Sequence, residues 1–391
     1  MNNKQNLIFV IPWYGKDATG GAETLCKLVV EHLDSAGISI QVFTTCSKEF
    51  HSEWVNDLPS GKTIVNNIQV TRFKVDSRDK NLFNNLNQKI ISNHSLDKSH
   101  EQQFFENNIN SSDMMKSIST DKDSLFVFLP YLYGTTFFGA QIHPERTVVI
   151  PCLHDEGYAK MKLVKKTLSN VNGLLFNSNE EKILAQKLLG ILPTNKVIGL
   201  GIEPPNKTNP EDFKRKYNLD KFILCAGRKE DGKNTPLLIN YFSQYLERNN
   251  TDLKLVLTGK GKVNIPSQYS KNILNFFLSR EYLASAFEAA TLFCLPSVNE
   301  SFSIVLMESW IHKVPVLVHN QCAVTKEHCI ASNGGLYFDN YLEFEACVNY
   351  FLNNPDVTKK LGENGFDYVK NNYNWNNIVK SYVDFFQTMI C

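Results

Sequence analysis

An excess of charge of either sign is missing from this 391-residue chain: 41 Lys and Arg stand against 40 Asp and Glu, a formal net of +1. A chain so close to neutral has no overall field to draw in a phosphate backbone, which argues against a nucleic-acid partner. Cysteines at metal or redox spacing are missing too. Nine fall at 26, 46, 152, 225, 294, 322, 329, 347 and 391, and no two form C-x-x-C. Cys225 and Cys294 lie inside apolar runs, so buried thiols in a reducing compartment explain the set better than disulfides. Cys322 and Cys329, with His319 and His328 nearby, match no standard zinc spacing. A membrane-spanning run is absent as well. Leu125–Pro144 has no Asp, Glu, Lys or Arg, but Pro130 and Gly134 break it, and Thr135, Thr136 and Gln141 dilute it. It reads as a buried strand, a loop and an apolar helix. The N-terminus has only six apolar residues before Pro12, too short a core for a secretory signal, and reads as a first strand. The expected compartment is the cytoplasm.

What is present is the composition of a folded protein, 42% hydrophobic and 21% charged, in a length that suits about two domains at roughly 100–200 residues each. Continuous apolar runs mark strands buried on both faces: Leu7–Ile11, Ser39–Thr44, Leu125–Leu129, Thr147–Pro151 and Gly173–Phe176 in a first set. A second set is Phe222–Ala226, Lys254–Thr258, Leu292–Leu295 and Val314–Val318. Helical patterns such as Ala22–Ala36, with Leu25, Leu28, Val29 and Leu33 on one stripe, separate them. The fold class is therefore α/β, with the βα alternation occurring twice. Between the two sets, Gly201 to Pro210 is Pro-rich and polar and reads as the linker. The expected domains are 1–201 and 202–374, with a final helix, 375–391, docking back on the first. Residues 81–122, rich in Asn, Ser and Gln, read as two loosely amphipathic helices on the outside of the first domain.

Three post-strand stretches can carry chemistry. Ala18-Thr19-Gly20-Gly21-Ala22-Glu23 opens a helix after the first strand, where glycines admit a ligand and helix N–H groups face phosphate oxygens. It lacks the Gly-x-Gly-x-x-Gly fingerprint, and a plain tight turn uses two glycines equally well. Gly227-Arg228-Lys229-Glu230-Asp231-Gly232-Lys233 follows Phe222–Ala226, and two or three cations there suit an anion, although charged loops are also ordinary surface. Pro296 to Glu308 again follows a buried strand and opens a helix. On one helix, Glu300 and Glu308 would stand roughly 12 Å apart along the axis, too far for an acid/base dyad but suited to the two ends of an extended ligand. A helix-capping Glu300 with Glu308 as a surface charge is the simpler alternative.

Together, Gly20-Gly21-Ala22-Glu23, Gly227-Arg228 with Lys233, and the Glu300-x7-Glu308 pair resemble the motif set of family 4 retaining glycosyltransferases of GT-B fold, in order and separation over nearly the whole chain. Pro151-Cys152-Leu153-His154-Asp155-Glu156 resembles that family's catalytic-pocket histidine region. Asn372-Tyr373-Asn374-Trp375 resembles its return to the N-terminal domain. The resemblance implies two Rossmann-like doubly wound domains facing across a cleft, the second binding a nucleotide-sugar donor. Arg228 and Lys233 would neutralise the leaving diphosphate, Glu308 would hold the ribose, and Glu300 would lie beside the transferred hexose. Backbone N–H groups at Phe302, Ser303 and Ile304 would contact phosphate or sugar, and Gly20 and Gly21 would meet the donor from the other domain. His154 would support the reacting centre, and the loop Phe277-Leu278-Ser279 would meet the base. Ser303 and Asn234 stand where the family usually has Gly.

The implied reaction needs no metal and no cofactor, since two cations about 4 Å from the diphosphate, each contributing roughly 4 kcal/mol at an effective dielectric near 20, can replace one. The implied acceptor is a glycan or lipid-linked saccharide of bacterial polysaccharide synthesis, of which O-antigen is an example, reached in solution or by peripheral association with the inner face of a membrane. The same architecture also hosts epimerases, phosphorylases and non-catalytic partner subunits. Two decoys are weaker. Asp121-Lys122-Asp123 precedes a strand instead of ending one, and Gly259-Lys260-Gly261-Lys262 lacks the spacer and hydroxyl of a P-loop.

Overall fold

A computed structural model describes residues 6–16, 20–203, 207–229 and 231–389. Ala18 and Thr19 of the first glycine stretch, Pro204 and Pro205 of the linker, and Glu230 lie outside the described residues. The chain divides into two compact units, Met1–Leu200 with Asn376–Cys391, and Gly201–Trp375. No helix among the described residues is long and apolar enough to cross a membrane.

The N-terminal unit is built on eight strands: β1 (Leu7–Val10), β2 (Ile40–Thr45), β3 (Gly61–Val65), β4 (Ile68–Phe73), β5 (Leu125–Phe128), β6 (Thr147–Val149), β7 (Gly173–Phe176) and β8 (Thr194–Val197). Their order is β3-β4-β2-β1-β5-β6-β7-β8, parallel except for the β3–β4 hairpin. Central strands β1 and β5 are fully buried, as their unbroken apolar runs require. The edges differ. β3, Gly-Lys-Thr-Ile-Val, is mostly exposed and β8, Thr-Asn-Lys-Val, mostly half-buried, and neither has an apolar run to betray it. The hairpin turns at Asn66 and Asn67 (φ 50° and 69°), the residue type that best tolerates two left-handed positions in a tight turn.

Residues 81–122 depart from the expected pair of surface helices. They form three, Lys80–Ile91, Lys98–Glu106 and Ser112–Thr120, each capped by a side chain (Asp79, Asp97 and Ser111) that accepts a backbone N–H of the first turn. Phe83, Leu86, Ile90, Phe104, Phe105, Met114 and Ile118 from these helices belong to the same core cluster as Ile8, Val10, Phe126 and Phe128. Few in number but large, these side chains make the segment part of the core despite its polar composition. The last helix, Trp375–Thr388, packs Tyr382, Phe385 and Phe386 on this unit, with Phe386 edge-on to Phe9 of β1. Gly173 at the start of β7 makes room for it, since a Cβ there would stand 2.9 Å from Met389 Sδ and 3.0 Å from the Phe385 ring.

The C-terminal unit holds six parallel strands: β9 (Phe222–Ala226), β10 (Lys254–Thr258), β11 (Ile273–Phe276), β12 (Leu292–Leu295), β13 (Val316–His319) and β14 (Gly335–Phe338). The order β11-β10-β9-β12-β13-β14 is the Rossmann 3-2-1-4-5-6 order. The strand order in such a sheet reverses between its first and fourth strands, here the parallel neighbours β9 and β12, and ligands settle beyond the carboxyl ends of strands at that point. Edge strands β11 and β14 are again half-exposed and unmarked by long apolar runs.

Candidate active site

The two motif-bearing loops of the C-terminal unit leave the sheet at the carboxyl ends of β9 and β12. After β9 the chain passes Gly227 (φ 136°) and Arg228, then makes a short 3-10 turn, Asp231–Lys233, before the helix Thr235–Arg248. In the turn after β10 it is crowding that requires glycine. The loop after β10 lies so close that a Cβ on Gly259 (φ 124°) would meet Gly227 O at 1.9 Å, and one on Gly261 (φ 109°) would meet Lys229 O at 2.5 Å. Gly259-Lys260-Gly261-Lys262 is thus a post-strand turn that buttresses the β9 loop, tied to it by Gly227 N–H donating to Thr258 O and Lys229 N–H to Lys260 O. Lys229 is buried and donates from Nζ to Asn275 Oδ1 on β11 at 2.6 Å. Burial lowers its pKa from the ordinary lysine value. Its charge braces the loop, while Arg228 beside it is exposed.

Lys233 and Glu300 are brought together: Lys233 Nζ donates to Glu300 Oε1 at 2.8 Å, with the lysine side chain 25% exposed and the glutamate 11%. The expectation that each addresses a different part of a ligand leaves out this contact between residues 67 positions apart. The pair joins the β9 loop to the β12 loop. Asn234 reinforces it, donating from Nδ2 to Pro296 O at 3.1 Å. Asn234 has φ 57°, which explains why glycine suits this position and why Asn, tolerant of the left-handed region, can replace it.

Helix geometry corrects one expectation. Glu300 lies in the loop, and the helix begins at Ile304 and ends at Ile311, so no helical projection relates Glu300 to Glu308. Glu308 is half-buried one turn into that helix, and its carbonyl meets His312 Nδ1 at 2.7 Å. Phe302 is a core residue, its ring edge-on to Tyr373 and to His328. Burial pushes His328 down to about 4, which keeps it neutral. Ser303 caps the helix with φ 71°. Leu278 is buried, its N–H donating to Thr258 Oγ1, whereas its neighbour Phe277 is 69% exposed just past β11. Among the described residues no three His, Cys, Asp or Glu side chains gather as a metal site.

The N-terminal unit's motif residues lie at the carboxyl ends of β1 and β6. Gly20 is the cap of helix Gly21–Ser35. The Glu23 carboxylate folds back over Gly20, where a Cβ would meet Glu23 Oε2 at 1.8 Å, while nothing lies within 4 Å of a Cβ on Gly21. His154 follows β6, half-buried, its Nδ1 3.7 Å from Glu156 Oε1, which also accepts from Tyr131 Oη at 2.9 Å. Asp121 lies at the other end of the sheet, before β5, where it accepts from Ser124 N–H and Oγ and closes a turn.

Sequence reasoning passed over Glu181, which holds the His154 loop. Buried, it accepts from Leu153 N–H at 2.7 Å, Asn177 N–H at 2.6 Å and Asn177 Nδ2 at 3.1 Å. Burial pushes its carboxyl up to about 8, against the opposing pull of those donors. The spacing Ser178-x-x-Glu181 is the signal that could have found it, for Ser178 Oγ caps the helix Asn179–Leu189 at Glu181 N–H.

Residues 207–368 match the family described as Glycosyl transferases group 1. An uncharacterized glycosyltransferase of Methanocaldococcus jannaschii is 29% identical over 251 residues, 57% of this chain and 58% of the relative, so the chain spans little more than half of that protein. Sucrose-phosphate synthase from Thermosynechococcus elongatus shares the architecture at a TM-score of 0.73, with 99% of each chain covered and 15% identity. The E. coli trehalose-6-phosphate structure bound with UDP-2-fluoro glucose does so at 0.71, with 98% of this chain and 99% of that one covered and 13% identity. Identities this low speak for architecture and not for chemistry. The chain has the α/β GT-B fold with two parallel-sheet units, and the segment 207–368 of its C-terminal unit is similar to the group 1 glycosyl transferases.

Proposed function

We propose that this protein is a retaining, metal-independent glycosyltransferase that moves a hexose from a nucleoside-diphosphate donor to a glycan or lipid-linked saccharide. The observation that carries the reading is the convergence of Lys233, Glu300 and the N-terminus of helix Ile304–Ile311 at the carboxyl ends of β9 and β12, the switch point of a Rossmann-order sheet. The matched group 1 segment covers all of these residues. Donor recognition in this reading belongs to the C-terminal unit. Lys233 and Arg228 face the diphosphate, Glu300 orients sugar hydroxyls, and Glu308 takes the ribose. Phe277 and Leu278 border the base, and UDP is the first nucleotide to test, because a neighbour of the same fold is bound with UDP-2-fluoro glucose.

As the C1–O bond to the diphosphate breaks, negative charge grows on the departing oxygen. Donors fixed at that point stabilise the transition state more than the bound ground state. The acceptor hydroxyl then bonds to C1 on the face the diphosphate leaves, and its proton passes to the departing phosphate oxygen. No metal or cofactor enters. Thermal-shift titration with UDP, GDP and ADP tests the reading: a ligand at a hundredfold excess over its Kd should stabilise by about 2.7 kcal/mol. The cognate nucleotide should act equally in EDTA. If none of the three shifts the transition, or if the shift requires a divalent cation, the reading is wrong.

A further inference from the structure

Ser303 incurs two costs that its surroundings do not explain. Its backbone lies at φ 71°, ψ 78°, a left-handed conformation unfavourable for any residue with a Cβ. Its hydroxyl is buried, with the residue 5% exposed, and Oγ has no hydrogen-bond partner. A buried hydroxyl without a partner is penalised by lost solvation, and such a group in a folded protein calls for a reason. Asn234 shows the contrast: it too is left-handed, but its side chain is bonded to Pro296 O. Ser303 is moreover the cap of helix Ile304–Ile311 without acting as one, for its side chain accepts none of the first-turn N–H groups. The first backbone bonds of this turn run from Leu306 and Met307 to Ser303 O, so the N–H groups of Ile304 and Val305 find no acceptor among the described residues. A second buried hydroxyl without a partner, Ser297, precedes Glu300 in the same loop.

A left-handed serine therefore stands at an uncapped helix N-terminus, three residues after Glu300, with an unused donor. We infer that the Ser303 hydroxyl is a further binding donor that hydrogen-bonds a phosphoryl oxygen of the nucleoside diphosphate, beside the Ile304 and Val305 N–H groups. A glycine here would satisfy the backbone and supply no hydroxyl, whereas serine accepts backbone strain and gains a third donor to the anion. The inference rests on the glycosyltransferase reading and adds to it a role for a side chain at a position where main-chain contacts alone would suffice.

Two variants separate strain from hydroxyl. Ser303→Gly removes both, and Ser303→Ala removes only the hydroxyl. Binding of the nucleoside diphosphate that most stabilises the wild type, among UDP, GDP and ADP, is measured by calorimetry together with its matching nucleotide sugar. The expected result is about tenfold weaker diphosphate binding in both variants, with the melting temperature raised in Ser303→Gly. The nucleotide sugar should weaken by the same factor. Unchanged or tighter diphosphate binding in Ser303→Gly would overturn the inference while leaving the glycosyltransferase reading intact. A loss seen with the nucleotide sugar and absent with the diphosphate would move the hydroxyl's partner from phosphate to sugar and overturn it as well. Failure of the wild type to bind any of the three nucleotides would remove the reading on which it rests.

Discussion

Lys233 and Glu300 hold one another, so in the proposed reading the donor's diphosphate would draw the ammonium away from a carboxylate that is only 11% exposed. On that reading the exchange would be favourable because a diphosphate carries more charge than Glu300, and the freed carboxylate would gain sugar hydroxyls as donors. Lys233→Ala is expected to lower kcat by about 10²–10³, the range for removing one donor to a developing oxyanion. Glu300→Gln keeps an acceptor for sugar hydroxyls and should retain partial activity, whereas Glu300→Ala should lose most of it. Steady-state transfer assays on the folded variants check this series. A Glu300→Gln enzyme as impaired as Glu300→Ala would make the charge of Glu300, and not its hydrogen bonding, the operative property.

Two loop anchors make predictions about elements. Gly259 lies at φ 124° against Gly227 O, so Gly259→Ala must push the β10 turn off the β9 loop. Left-handed strain alone costs about 1–3 kcal/mol, and the displaced loop carries Arg228. Both the melting temperature and the nucleotide affinity should fall; a change in only one would uncouple turn from site. Glu181 gives a pH signature. Its carboxyl titrates at about 8 in the fold, against roughly 4.3 in an unfolded chain. Between those values the folded state holds a proton that the unfolded state has released. The contribution to stability is therefore full below the lower value and is lost as pH rises through the upper one. Glu181→Gln cannot ionise, so the gap in melting temperature between wild type and variant should narrow from pH 5 to pH 8.5. A gap independent of pH would mean that the three donors around Glu181 keep it ionised throughout.

At the scale of the whole molecule, the C-terminal helix completes a unit that begins some 370 residues earlier. Ile378, Tyr382, Phe385 and Phe386 are buried there, and Tyr382 Oη donates to Gly199 O at 3.3 Å. At about 1.5–3 kcal/mol for each large apolar side chain, removing residues 376–391 should cost the N-terminal unit on the order of 6 kcal/mol or more. Chemical denaturation of the truncated chain should show the N-terminal unit unfolding at lower denaturant, or already unfolded. The transition of the C-terminal unit should be retained, because Gly201–Trp375 has its own sheet and core.

Local pattern by itself determined the central strands. A run such as Phe-Ile-Leu-Cys-Ala, with no polar residue, can only be buried on both faces, and β9, β10, β12 and β7 begin and end at the residues that their apolar runs mark. It also placed Gly227 and Lys233 on a post-strand loop and identified the final helix by its apolar stripe, but it related Glu300 to Glu308 along one helix that in the fold begins only at Ile304. Tertiary structure alone decided the rest. Edge strands β3, β8, β11 and β14 pair on one side only, so their sequences carry no double-sided burial for periodicity to detect. Three polar-rich helices entered the core because a few large side chains, not average composition, decide burial. The Lys233–Glu300 contact, the buried Glu181 beneath the His154 loop and the left-handed Ser303 depend on how distant segments meet. Spacing along the chain records which residues are available for such contacts, and the topology of the two sheets determines which of them are made.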